Sequence, residues 1–157
     1  MPSRTGMNIE PSTCFELSKI PNIVGIKEAS GNLSQIAKIV SLCGDNLWVY
    51  SGNDDQILPI LSLGGIGVIS VLSNLIPKFV HNMVIDFLSG NFTLAKDSQI
   101  KSIPLIDCLF SEVNPIPVKA ALSMMSYEVG NPRLPLISMS ENKKEQLEIE
   151  MKKMKIL

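Results

Sequence analysis

Lys27 stands where an amine could do covalent chemistry. It ends the apolar run Asn22-Ile23-Val24-Gly25-Ile26 within the stretch PNIVGIKEASGNLSQ, Pro21 to Gln35. β-branched residues dominate that run and a proline precedes it, so it reads as a short buried strand. Glu28, two small residues and Gly31 follow, and then a helical pattern begins. Most lysines are surface charges whose stems pack on apolar neighbours, and that reading competes here. Yet βα barrels and open α/β sheets gather their reacting groups at the carboxyl ends of strands. A lysine desolvated at such an end loses basicity and attacks a carbonyl as the free amine. Arg4, in MPSRTG, is a second candidate. A guanidinium forks onto a carboxylate through parallel N–H donors, although one arginine alone says little.

Other candidates reduce to structural readings. In SLGGIGVIS the spacing of Gly64, Gly65 and Gly67 matches no phosphate-loop or dinucleotide fingerprint. These glycines also precede a strand, whereas phosphate-cradling glycines follow one, so they read as a helix stop and a tight turn. Asp54 and Asp55 suit the positive end of a helix dipole better than a metal, because no third carboxylate or histidine is near them in sequence. His81 is the one histidine, which excludes a multi-histidine metal site. It lies among apolar helix positions and reads as structural. The basic tail MKKMKIL has the sign that a helix C-terminus favours.

The elements that must position these groups alternate. Thr13 and Glu16 can form a capping box for a helix carrying Phe15, Leu17 and Ile20, which Ile20-Pro21 ends. The strand to Lys27 follows. Asn32 reads as an N-cap, with Leu33, Ile36, Ala37 and Val40 on one helical face and Gly44 as the stop. Leu47 to Tyr50 is a second strand, running into Ser51-Gly52-Asn53-Asp54. A helix with Ile57, Leu58, Ile60 and Leu61 leads to a third strand, Gly67 to Val71. A helix from Pro77 buries Phe79, Val80, Met83, Val84 and Phe87. Short apolar strands separated by amphipathic helices indicate a parallel sheet covered by helices. After Asn91 only helical patterns remain, near Phe92 to Phe110, Pro117 to Met125 and Glu141 to Met154.

Bulk properties bound the partners. At 157 residues the chain can bury a core, and 45% apolar against 18% charged residues marks a globular protein. A net charge of -1 favours neither nucleic acid nor an anionic membrane surface. No apolar run is long enough to span a bilayer, and the N-terminus has no hydrophobic signal region. Cys14, Cys43 and Cys108 are odd in number and widely spaced, as expected of reduced core thiols in a cytoplasmic protein.

Four stretches together resemble the dihydrodipicolinate synthases, members of the pyruvate-dependent class I aldolases. They are PSRTGMNIEP (Pro2 to Pro11), GIKEASGNLSQ (Gly25 to Gln35), SGNDDQILPILSLGGIGVISV (Ser51 to Val71) and NPIPVKAAL (Asn114 to Leu122), with RLPL at Arg133 to Leu136 in support. The match runs in order over nearly the whole chain, and the GIKEAS and PSRTG forms favour this family over its sialic-acid lyase and sugar-acid aldolase relatives. The resemblance implies the C-terminal half of a (β/α)8 barrel: about three parallel strands with helices, then a three-helix region. The expected division is a partial barrel over residues 1–90 and a helical region over 91–157. It also implies that Lys27 forms a Schiff base with pyruvate and that Arg4 holds the carboxylate of aspartate semialdehyde. Gly52 and Ile69 would line the pocket through their backbones. No cofactor and no metal are implied. The implied role is a lyase of lysine and diaminopimelate biosynthesis.

Two departures accompany the match. Asn53 stands where the family usually has Asp. Family members are about twice this length, since a closed barrel takes about 250 residues. The family's pyruvate-carboxylate threonines and relay tyrosines have no counterpart in this chain. Alone, it is therefore expected to lack turnover unless an N-terminal half complements it, and its open sheet edge favours a homo-oligomer or association with such a half. A non-catalytic remnant, an interaction subunit of a full-length relative, and an aldolase acting on another aldehyde remain open.

Overall fold

The computed structural model describes residues 2–157. Its one sheet has three parallel strands in the order β1, β2, β3. β1 is Gly25–Glu28, β2 is Trp48–Ser51 and β3 is Gly67–Val68. The crossovers are helical: α3 (Leu33–Cys43) joins β1 to β2, and α4 (Ile57–Ser62) joins β2 to β3. Parallel neighbours need such crossovers, because no hairpin can reverse the chain direction twice. Lys27 pairs with Tyr50 and Glu28 with Ser51, while Tyr50 pairs with Gly67 and Ser51 with Val68. The third strand is shorter than the expected Gly67 to Val71. Its ladder stops at Val68, although the Ile69 N–H still donates to the Ser51 carbonyl at 2.8 Å.

Two helices precede the sheet, α1 (Pro2–Thr5) and α2 (Pro11–Ser18). The capping box expected at Thr13 and Glu16 does not form. The N-cap of α2 is Glu10, with no side-chain cap bond, and Pro11 follows it at the first helical position. Proline fixes φ near the helical value and lacks only an N–H that the first turn leaves unbonded, so it starts the helix before Thr13. The expectation for α3 is met in detail. The Asn32 side chain accepts from the Gln35 N–H at 3.1 Å, and Gly44 at φ 53° ends the helix.

The chain divides into two compact units. One comprises Met1–Ser70 with Val84–Ala95, and the other Val71–Met83 with Lys96–Leu157. In the first, the core is Cys14, Ile36, Ile39, Cys43, Leu47, Val49 and Ile60, with Ile23, Ile26, Val40 and Leu63 packed against it. These residues come from one face each of α2, α3 and α4 and from the strands between them. That is how amphipathic helices cover a sheet.

The helices α5 (Pro77–Leu88) and α6 (Phe92–Leu109) follow the sheet, then α7 (Ile116–Met124) and α8 (Glu141–Lys153). Val80 and Met83 are the buried positions of α5, whereas Phe79, Val84 and Phe87 are half-buried and His81 is exposed. The start of α8 is fastened by Glu112. Its carboxylate accepts from the Ser140 N–H at 3.2 Å and from the Ser140 hydroxyl at 2.6 Å. Those bonds hold the Glu112 carboxyl below its usual range.

Candidate active site

Lys27, Gly52 and Ile69 lie at the same end of the sheet. Lys27 is the penultimate residue of β1, and Gly52 and Ile69 immediately follow β2 and β3. This is the carboxyl end, where the strands stop and the loops take over. The register makes the arrangement tight. The Gly52 N–H donates to the Glu28 carbonyl at 2.7 Å, continuing the ladder one step beyond the strands. A Cβ on Gly52 would lie 2.6 Å from the Ala29 Cβ and 2.9 Å from the Lys27 Cε. The lysine stem thus runs over a surface that only glycine provides. Lys27 is half-buried, and among the described residues no side-chain hydrogen bond or ion pair involves its amine.

Tyr50 forms a floor beside this stem. A Cβ on Gly67 would meet its Cδ1 and Cε1 at 3.4 Å, and one on Gly25 would meet its Cε2 at 3.7 Å. The ring therefore lies across the two neighbouring strands where both carry glycine. Gly25 and Lys27 share a face of β1, because side chains alternate along a strand. Tyr50 accordingly occupies the face from which Lys27 projects.

The loops after β1 and β2 are closed by side chains. Glu28 is buried at 4% exposure, and its carboxylate accepts from the Ser30 N–H at 3.0 Å and the Ser30 hydroxyl at 2.7 Å. The Ser51 hydroxyl donates to the Asn53 carbonyl at 2.7 Å and accepts from the Asn53 N–H at 3.2 Å. Both bonds use only the backbone of residue 53, so this loop closure is indifferent to Asn in place of Asp. The Gln56 side chain donates to the Gly31 carbonyl at 3.2 Å and ties the two loops together. Arg4 is exposed on α1, four residues before Asn8.

Sequence reasoning missed Tyr50, Glu28 and the pairing of Asn8 with Gln35. Two strand glycines at matching positions were the available signal for Tyr50, but their register is set only by pairing. A cleft of about 370 Å³ lies elsewhere, lined by residues of α7, the following loop and the start of α8, among them Lys119, Ser123 and Lys144. It includes none of the four expected site residues. Among the described residues no group of three or more metal-binding side chains is assembled, and no helix is long and apolar enough to cross a membrane.

Three parallel strands with helical crossovers and a lysine at their carboxyl end form part of a TIM-type (β/α)8 barrel. The chain belongs to the dihydrodipicolinate synthetase family, whose model matches residues 1–154. It is 58% identical over 147 residues to the 4-hydroxy-tetrahydrodipicolinate synthase of Caldicellulosiruptor saccharolyticus, covering 94% of this chain and 50% of that protein. The crystal structure of dihydrodipicolinate synthase from Thermotoga maritima superposes over 100% of this chain and 55% of its own, with a TM-score of 0.96 at 41% identity. The chloride-inhibited dihydrodipicolinate synthase of Acinetobacter baumannii, solved with pyruvate, superposes with a TM-score of 0.94 at 35% identity, over 100% of this chain and 54% of its own. The chain thus spans about half the length of the relatives it matches.

Proposed function

We propose that this chain carries the Schiff-base portion of a 4-hydroxy-tetrahydrodipicolinate synthase site, condensing pyruvate with aspartate semialdehyde. One observation carries the reading: Lys27 lies at the carboxyl end of β1 and its stem passes over the bare face of Gly52. The free amine adds to the pyruvate ketone and water leaves, giving an iminium. The iminium withdraws electrons from the methyl group, which loses a proton to become an enamine. The enamine carbon then attacks the aldehyde. Arg4 takes the carboxylate of that second substrate through its two-pronged fork. Gly52 and Ile69 contribute backbone to the pocket. Both N–H groups are already bonded, to the carbonyls of Glu28 and Ser51, so what they offer a substrate is a carbonyl or a close approach. The relative solved with pyruvate supports the choice of first substrate.

The test is borohydride trapping of the pyruvate imine, with the adduct mapped by mass spectrometry. A single adduct at Lys27 is expected. Selective labelling of Lys38 or Lys119, or no selective adduct, overturns the reading. Because relatives are about twice as long, turnover with both substrates is measured for the chain alone and with the complementary half of a relative's barrel. Arg4→Ala is expected to leave the melting temperature nearly unchanged, because Arg4 is exposed. In the complemented enzyme it should raise KM for the aldehyde and lower kcat. A variant that melts far lower and keeps its kinetics would assign Arg4 to stability instead.

A further inference from the structure

The arm between α1 and α2 follows directly on Arg4, the last residue but one of α1, and apolar packing does not hold it down. Met7 and Ile9 are 74% and 45% exposed. Gly6, at φ 67°, turns the chain, and the Thr5 hydroxyl donates to the Met7 carbonyl at 3.1 Å while accepting from the Met7 N–H at 3.2 Å. The arm then docks through a reciprocal amide pair. The Asn8 Nδ2 donates to the Gln35 Oε1 at 2.7 Å, and the Gln35 Nε2 donates to the Asn8 Oδ1 at 3.1 Å. Asn8 Nδ2 also donates to Glu10 at 2.9 Å. Gln35 is 9% exposed. Its amide loses water on burial, so its two bonds to Asn8 cannot be replaced cheaply by solvent.

Further bonds lead from Gln35 back to Glu28, the residue after Lys27. The Gln35 N–H donates to the Asn32 Oδ1 at 3.1 Å, and the Asn32 N–H donates to the Ser30 Oγ at 3.1 Å. The Ser30 hydroxyl donates to the Glu28 carboxylate at 2.7 Å, and Glu28 adjoins Lys27. One hydrogen-bonded belt therefore links the segment that presents the guanidinium to the strand that presents the amine. We propose that Asn8 and Gln35 are positioning residues. Their amide pair fastens the arm that follows Arg4 to the helix after β1, and so limits where the guanidinium can stand relative to Lys27. The proposal rests on the reading of Lys27 and Arg4 given above.

The experiment follows hydrogen–deuterium exchange of the arm, residues 5–9, and of β1 and β2 in the whole chain. The variants are Gln35→Ala, Asn8→Ala and the length-conserving exchange Asn8→Gln with Gln35→Asn. Each alanine variant should speed exchange in the arm by about tenfold or more, since the arm loses its two amide bonds to α3, while the strands stay protected. The double exchange keeps the summed length of the two side chains and should restore most of the protection. Borohydride trapping at Lys27 should persist in all three variants. Asn8 lies in an exposed loop, so Asn8→Ala reports on the arm even if Gln35→Ala unfolds the helix. Unchanged arm exchange in Asn8→Ala, an equal rise in the arm and the strands, or a double exchange no better than the single variants would each overturn the proposal. An unsubstituted chain without a selective Lys27 adduct overturns the reading of the site itself, whatever the exchange rates.

Discussion

Lys27→Ala should abolish the selective pyruvate adduct, while Lys38→Ala and Lys119→Ala leave it in place. The expectation rests on how the three amines are held. Lys38 is exposed on α3, away from the strand ends. The Lys119 ammonium donates to the Asn131 carbonyl at 3.2 Å, which ties it to the loop after α7. Lys27 is half-buried at a strand end, and among the described residues its amine takes part in no hydrogen bond or ion pair. An imine needs an amine held where a ketone carbon can reach it, and of the three only Lys27 stands at the carboxyl end of a strand. The adduct is read by mass before and after borohydride, so a loss is all-or-none at one peptide. Lys27→Arg keeps the charge and the stem but cannot form the imine, and it should fail equally. An adduct that survives either substitution would remove Lys27 from the mechanism.

The second large effect is expected at Gly52. In Gly52→Ala the new methyl meets the Ala29 Cβ at 2.6 Å and the Lys27 Cε at 2.9 Å, with the Glu28 carbonyl at 3.1 Å. The backbone cannot retreat without breaking the 2.7 Å bond from its own N–H to that carbonyl. The flexible lysine stem is the part most easily displaced, but the Ala29 methyl is borne on the backbone and resists. Overpacking of this kind typically costs about 1–3 kcal/mol of stability. A displacement of about 1 Å at a reacting group can cost about 10²-fold in rate. The rate of imine trapping should therefore fall by about 10²-fold in a chain that still folds. Circular dichroism and denaturant melts check the fold, and timed borohydride quenching gives the rate. A trapping rate within a factor of about two of the parent, in a folded variant, would show that the stem does not need the bare glycine face.

Much of the arrangement was legible in the sequence because its signals are local. Apolar runs ended by polar turn residues located β1 and β2, though β1 begins at Gly25 rather than Asn22 and β2 runs one residue later than Leu47 to Tyr50, and Asn32 with Gly44 bounded α3 to the residue. Three helical patterns after Asn91 correspond to α6, α7 and α8. Failures arose where a local motif met a stronger neighbour. Thr13 and Glu16 had the right spacing for a capping box, but Pro11 had already begun the helix. The third strand was read too long because Val68, Ile69 and Val71 are apolar, whereas pairing depends on a partner and ends at Val68. The belt through Asn8 and Gln35 had no local signal at all, since its members are 27 residues apart. Tyr50 was invisible for a similar reason. It matters through Gly25 and Gly67, and only the strand register brings those two beside it.

Cys14 and Cys43 give this fold a stopwatch. Both thiols are free and sit in the packed interface of α2, α3 and the sheet, at 0% and 2% exposure. Burial pushes the Cys14 thiol up, with Cys43 adding to the shift, so little thiolate exists at neutral pH even where reagent could reach it. Labelling by a disulfide reagent must therefore wait for α2 to lift from α3. At high reagent concentration the labelling rate stops rising and equals the rate of lifting; at low concentration it gives the fraction of time spent lifted. Cys108, which is partly exposed, should label first and calibrate the reagent in the same tube. Cys14 and Cys43 should then appear together, much later, and with one shared rate constant. Two separate rates would mean that the thiols are uncovered by different motions.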